Sequence, residues 1–290
     1  MKIHLRVRLN SNSRIAGLMA QHFKSRRLPC LEVRPTAREL RWFAHLDRHG
    51  PQSSEFLYEL TRDTHRCRDT SLRRMQALRE AGYLRLPPQQ RQISKADFNP
   101  YVYDLTAKGW EALSCEKDLE RDFRPTGHWW HGYWVSAVCS AIEIRATYAG
   151  LEYIPAARTL TINNVDIAIP LERGKLVPDQ IFAIKYHDGY RAFALEVDRG
   201  TEPVRSNAAR KSLQRSAEQY REVLYNRLHQ KHYGLNANLT VLWVFNSSQR
   251  HRQFETIKGP DNTRFSMCYL DVVVPRWNNF RHLARQLQVT

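Results

Sequence analysis

Three acids, Asp179, Glu196 and Asp198, fall within one stretch, Leu176 to Glu202 (LVPDQIFAIKYHDGYRAFALEVDRGTE). Two runs rich in apolar residues, Leu176–Lys185 and Tyr190–Asp198, flank His187-Asp188-Gly189, and Asp-Gly favours tight turns that need positive φ. The stretch therefore reads as a β-hairpin. Side chains alternate along its second strand, so Phe193, Leu195 and Val197 share a core face while Ala194, Glu196 and Asp198 share the other. Pairing across the turn brings Asp179, just after Pro178, to the Glu196/Asp198 end. Clustered carboxylates raise one another's pKa unless a cation sits among them, and oxygen ligands of this kind suit Mg²⁺ or Mn²⁺. The residues alone leave a second account open, a solvated strand end with Asp198 paired to Arg199 or Arg205.

Pro178-Asp179, a hairpin, then Glu196 resembles the core of PD-(D/E)XK nucleases. The fuller string, LVPDQIFAI followed by FALEVDRGTEP, resembles the replication-relaxation family of plasmids and other mobile elements. The resemblance covers most of the chain and implies a DNA-binding winged helix followed by a nuclease-like domain. It implies metal ligation by Asp179 and Glu196, with Asp198 as an auxiliary. It also implies an acid from the helix before the sheet, which makes Glu143 a candidate ligand; local chemistry alone would pair Glu143 with Arg145 or Arg158. One departure stands out. The nuclease pattern has Lys two residues after the Glu, and this chain has Asp198 there. Arg199, Lys185 and Lys211 are the cations available to replace it, Lys211 on condition that its helix starts beside the strand end.

The composition points the same way. With 45 Lys and Arg against 29 Asp and Glu, the 290 residues carry a formal charge of +16, which favours a polyanionic partner, nucleic acid being the commonest, and leaves open a merely soluble basic protein; double-stranded DNA is the partner that the resemblance implies. The five cysteines form no C-x-x-C pair, which argues against a zinc ribbon or a disulfide framework and suits a reducing, cytoplasmic compartment. No apolar run approaches the length of a membrane span. The G-x-x-x-x-G-K-[ST] phosphate loop of an NTPase is absent. No arrangement argues for a Ser or Cys nucleophile, and the thirteen tyrosines leave a tyrosine nucleophile open without a histidine metal motif to support it.

The elements that must position these groups fall into three segments. Residues 1–34 form an Arg-rich extension. Over 35–124 the spacing predicts three helices: one after Pro35-Thr36, one opened by Ser53-Ser54-Glu55, and one capped by Asp69-Thr70-Ser71. Two short strands around a polar loop, near Tyr83–Leu86 and Tyr101–Leu105, read as a wing, and Lys108–Leu113 begins a closing helix. This is the pattern of a winged helix-turn-helix, an α+β unit. Arg66, Arg68, Arg73, Arg74 and Arg79 lie on or just before the third helix, where a recognition helix meets the major groove, and Arg91 and Lys95 lie in the wing. A winged helix used only for protein contacts would leave the same arginines as a solvated face.

Over 125–290 the pattern predicts a buried helix after the aromatic run His128–Trp134, a first strand at Thr159–Ile169 and the hairpin. A long amphipathic helix follows within 201–232, with His229 and His232 on its solvated tail. Then come a central strand at Leu239–Phe245, a helix after Ser247-Ser248, a strand at Phe265–Val273 and a helix at Trp277–Leu287. His128 and His131 stand three apart without further ligands in sight. The order is that of an α/β/α sandwich, the PD-(D/E)XK nuclease-like architecture. The expected function is a divalent-metal-dependent DNA endonuclease or nickase of a mobile element, with Asp179, Glu196 and Lys211 catalytic. Its expected partners are DNA and a homodimer or mobile-element protein complex. The alternative is a non-enzymatic regulator whose degenerate nuclease-like domain serves dimerisation or partner docking.

Overall fold

The computed structural model describes residues 33–92, 101–116, 129–206, 211–259 and 264–269. The expected C-terminal helix, the wing residue Lys95 and the side chain of Arg91 lie outside them. Helix α1 (Ala37–His49) starts where Glu39 turns back to accept the Thr36 backbone N–H at 2.7 Å. Strand β1 (Gln52–Ser53) leads into α2 (Ser54–Leu60), capped by Ser53 as expected. Helix α3 (Arg68–Glu80) begins earlier than the sequence signal suggests. Cys67 is its N-cap, and Ser71 lies inside the first turn, buried, with its hydroxyl donating to the Arg68 carbonyl at 2.8 Å. Strands β2 (Leu84–Arg85) and β3 (Val102–Leu105) complete an antiparallel sheet of order β1-β3-β2, and α4 (Ala107–Ser114) closes on it. Gly109 permits that closure, because a Cβ there would meet the Tyr83 carbonyl oxygen at 2.5 Å. Trp42, Phe43, Leu46, Leu57, Met75, Leu78 and Leu105 fill the core between these elements.

Helix α5 (Trp129–Tyr148) is buried from Val135 to Ala146. A helix apolar all round must be covered all round. One side of α5 meets α1, β1 and α2, through contacts such as His45 Nε2 to Ser140 Oγ at 2.6 Å and Gln52 Nε2 to Ser136 Oγ at 3.0 Å. The other side meets the main sheet through Phe182, Ile184, Leu195, Val197 and Val244. The described residues from Pro35 onward accordingly form one unit. Among the described residues no helix is long and apolar enough to cross a membrane.

The main sheet begins at β4 (Glu152–Pro155), not at Thr159–Ile169. Pro155 opens α6 (Ala156–Asn163) and Asn164 ends it in the left-handed conformation, so helix takes the segment where a strand was expected. Strands β5 (Ile169–Pro170) and β6 (Lys175–Leu176) form a separate two-stranded ribbon. The hairpin is β7 (Gln180–Tyr186) and β8 (Gly189–Asp198), closed by His187-Asp188 with Gly189 at φ 144°. Helices α7 (Leu213–Tyr225) and α8 (Leu228–Tyr233) follow, then β9 (Leu239–Phe245), α9 (Ser248–Glu255) and β10 (Phe265–Tyr269). The sheet order is β10-β9-β8-β7-β4, with β8, β9 and β10 parallel and β7 and β4 antiparallel to their neighbours. The expected long helix is broken at Arg227, φ 51°, and His229 on α8 is buried where a solvated tail was expected. The face of β8 away from α5 is also covered: Ala192 and Ala194 share a core with Trp243 of β9, Leu213, Ala217 and Tyr220 of α7 and Phe254 of α9.

Glu39 shows how the first half is tied together. Its side chain is fully buried and faces Arg38 Nη2 at 2.9 Å and Arg74 Nε at 3.3 Å. Burial works to raise its pKa, but hydrogen bonds from Thr36, Arg38 and Arg74 outweigh it and hold the carboxyl below its usual value. A depressed carboxylate stabilises the fold above its unfolded pKa, about 4.3 for Glu, and loses that contribution as pH falls through the folded value. Glu39→Gln should therefore cost roughly 1.5–3 kcal/mol at pH 7, with the deficit shrinking below about pH 4, as read by urea unfolding across pH.

Candidate active site

The β7–β8 register determines where the acids meet. The Asp179 backbone N–H donates to the Leu195 carbonyl at 3.1 Å, one step beyond the Gln180–Leu195 pair. Asp179 Oδ2 accepts the Val197 N–H at 2.8 Å, which leaves Oδ1 facing His131 Nε2 at 3.0 Å and Lys211 Nζ at 3.7 Å. Glu196 is buried on the other side of the same strand end. Its Oε1 accepts from the Tyr220 hydroxyl at 2.7 Å, and its Oε2 lies 3.3 Å from Lys211 Nζ. Glu202 Oε1 also approaches that ammonium, at 3.5 Å.

Lys211 holds this place because α7 starts beside the strand end. Ser212 caps the helix by accepting the Arg215 N–H, while the Leu213 and Gln214 N–H groups donate to the Pro203 and Val204 carbonyls just after β8. The condition attached to Lys211 in the sequence is thus met in space. Asp179, Glu196 and Lys211 form one cluster. Asp179 and Lys211 line a cleft of about 970 Å³, with Arg173, Lys175 and Arg215 and the acids Glu202, Glu218 and Glu222 along it.

The cluster separates the two carboxyls. Burial pushes Glu196 up to about 7, with the Asp179 charge adding to it and Lys211 pulling the other way. Asp179 lies below its usual value, because the His131 hydrogen bond and the Lys211 charge overcome its burial. The Asp179 hydrogen bond raises His131, and the Glu196 charge raises Lys211. Two carboxyl groups held in different protonation regimes can take different roles in one reaction. The donor set also suits a hard divalent cation. Asp179 and Glu196 aim one oxygen each at a single positive centre, now the ammonium of a half-exposed lysine.

Other expected site residues lie elsewhere. Both Asp198 oxygens are taken by Arg250, Nε to Oδ2 at 2.7 Å and Nη2 to Oδ1 at 3.0 Å, so the auxiliary-ligand position is filled by a guanidinium from α9 and not by Arg199 or Arg205. Glu143 is twelve residues along α5 from His131, about 18 Å at the helical rise. It faces His45, Arg48 and His49 instead of the strand end or the expected Arg145 or Arg158. Lys185 pairs with Glu152 at 3.6 Å, toward the turn end of the hairpin. Around α3, Arg66 and Arg73 are exposed, Arg79 is half-buried, Arg68 pairs with Glu55, and Arg74 is held by Glu39.

Three residues of the site were not read as such in the sequence. His131 stands in an aromatic run with no visible partner, Tyr220 falls on the apolar stripe of the amphipathic helix within 201–232, and Arg250 is one of many basic residues. Tyr220 carried the best available signal, since a buried phenol needs a hydrogen-bond partner and its helix follows an acidic strand end. Removing Arg250 would leave Asp198, 3 % exposed, as an unpaired buried charge. Arg250→Ala is expected to cost roughly 3–5 kcal/mol, and adding Asp198→Asn should recover part of it, as a double-mutant cycle in urea unfolding would read.

A protein-family model described as replication-relaxation matches residues 43–239, from α1 through the cluster to the start of β9. No curated protein and no solved structure matches the chain. The matched span takes in Asp179, Glu196 and Lys211 and more than half of the sequence, and the chain belongs to the replication-relaxation family.

Proposed function

We propose that this is a DNA-binding protein of a mobile element that hydrolyses a phosphodiester bond at the Asp179–Glu196–Lys211 cluster. The observation that carries the reading is the convergence of two buried carboxylates and a half-exposed lysine on one point beside a cleft whose walls carry Arg173, Lys175 and Arg215 among the acids Glu202, Glu218 and Glu222. In this reading the helix, three strands, helix and parallel strand around the cluster are a PD-(D/E)XK nuclease-like core, and α1–α4 with their small sheet are a winged helix. Lys211, just before the Ser212 cap of α7, takes the role of the lysine that Asp198 displaces from the strand.

Asp179 and Glu196 would hold Mg²⁺ or Mn²⁺, with Glu143 and Asp198 outside the ligand set. The ion, when bound, lowers the pKa of a water and offsets charge on the phosphate. His131 and the Val197 N–H fix the Asp179 carboxylate, and Tyr220 fixes Glu196, so neither has to reorganise when substrate arrives. Lys211 donates to the phosphoryl oxygens as negative charge builds on them. Arg173, Lys175 and Arg215 hold the flanking backbone. The attacking water oxygen forms the new P–O bond as its proton passes to bulk water, the bond to the 3′ oxygen breaks, and that oxygen takes up a proton from bulk water as it leaves. Exposed Arg66 and Arg73 are the arginines of the α3 region best placed to meet duplex DNA, since Arg68 and Arg74 have partners inside the protein.

One observation favours a regulator instead. Lys211 already neutralises the acids, and the Arg250–Asp198 pair closes the position that the nuclease-like pattern gives to lysine. Cleavage decides between the two. With Mg²⁺ or Mn²⁺, wild type is expected to nick or linearise supercoiled plasmid, while Glu196→Ala binds DNA with the same steep salt dependence and cuts at least ~100-fold more slowly. Binding by both proteins without cleavage by either would favour the regulator.

A further inference from the structure

A second group of ligating side chains lies away from the strand-end acids, where α1 meets α5. His45 and His49 stand four residues apart on α1, one turn of a helix, and so present both rings to the same side. Glu143 of α5 faces them. Its Oε2 lies 3.1 Å from His45 Nδ1 and is bonded to His49 Nε2, and one donor atom from each of the three residues lies within 4.8 Å of the others. All three residues are buried. Donor atoms of a tetrahedral zinc site, at bonds of about 2.0–2.1 Å, stand roughly 3.3 Å apart, so a modest outward movement of His49 would make room for an ion.

The surroundings also suit a ligand set. The other nitrogen of His45 meets Ser140 Oγ at 2.6 Å, which orients the ring with Nδ1 toward Glu143. That Nδ1 is buried and has the Glu143 carboxylate as its facing partner. Arg48 engages Glu143 through Oε1 and so leaves Oε2 to the histidines. Arg48 and His49 line a cavity of about 590 Å³ that continues past Trp129 and Tyr133, an access path for a small ion.

We propose that His45, His49 and Glu143 bind a transition-metal dication of the zinc class, and that the ion clamps α1 to α5. Two imidazoles and one carboxylate favour Zn²⁺ over Mg²⁺, which separates this site by chemistry from the all-carboxylate pair at Asp179 and Glu196. The residue after His45 is Leu46, fully buried, where a helical H-E-x-x-H site has its general base, so the role assigned to the ion is structural.

The test uses the full chain stripped with a chelator, dialysed, and titrated with Zn²⁺ and Co²⁺. The expected result is one tight equivalent per chain, with visible Co²⁺ bands of a tetrahedral or five-coordinate nitrogen–oxygen site and a higher unfolding temperature on loading. His49→Gln and Glu143→Gln should abolish the tight equivalent. Ser140→Ala, which leaves the ligands in place, should weaken it roughly 10-fold or more, and a site elsewhere would not respond to it. Glu196→Ala should retain it. Wild type without a tight equivalent would overturn the proposal and leave a hydrogen-bonded latch. Loss of the equivalent in Glu196→Ala, but not in Ser140→Ala, would overturn it by placing the ion at the strand end.

Discussion

Two carboxylates buried at the end of one strand cannot stay charged without cations, and much of the second half of this protein is arranged around that constraint. Asp179 and Glu196 are both almost removed from solvent. Desolvation of this kind is met by pairing, by hydrogen bonding or by protonation. All three are visible here. Lys211 stands between the two acids, backbone and side-chain donors take up the remaining oxygens, and Glu196 is pushed up to about 7. The α7 start, its serine cap and the α5 histidine follow from the same need. In the proposed reading, a site built in this way holds its geometry before substrate arrives.

Asp198, two residues further along β8, meets the same constraint through a different partner. A bidentate guanidinium from α9 neutralises it and links the strand end to the helix after β9. The strand therefore ends in two ion pairs that differ in kind. The Asp198–Arg250 pair is enclosed, with both side chains largely buried, while the Lys211 side chain is 44 % exposed. In the proposed reading, that difference gives the chemistry to Glu196 and an architectural role to Asp198.

Much of this was legible in the sequence because it rests on local periodicity. The alternation along Tyr190–Asp198, the Asp188-Gly189 turn and the apolar run Leu239–Phe245 locate β7, β8 and β9, and the serines at 53 and 247 mark helix starts through their side-chain caps. Lys211 was reachable because the start of its helix could be argued from the chain just after the strand. The errors share a different cause. Glu143 was placed at the site by resemblance, yet the twelve residues that separate it from His131 along a straight helix forbid it. The Thr159–Ile169 segment has strand-like residues, but Pro155 and Asn164 bracket a helix there. His131, Arg250 and the His45–His49–Glu143 group depend on pairings between distant segments, 48, 52 and about 95 residues apart, for which periodicity carries no signal.

Helix α5 relates the two halves. Its apolar surface serves the sheet on one side and α1 and α2 on the other, and it carries His131 near one end and Glu143 toward the other. In the proposed reading, DNA engaged by α3 and backbone held at the cleft are thus coupled through one rigid element. The most direct test of the central claim is Mn²⁺ binding to the DNA-bound protein, followed by electron paramagnetic resonance in wild type and Asp179→Asn. The account requires one Mn²⁺ held by wild type and lost in the variant with DNA affinity unchanged. Equal Mn²⁺ occupancy in the two proteins, or none in wild type, would contradict it.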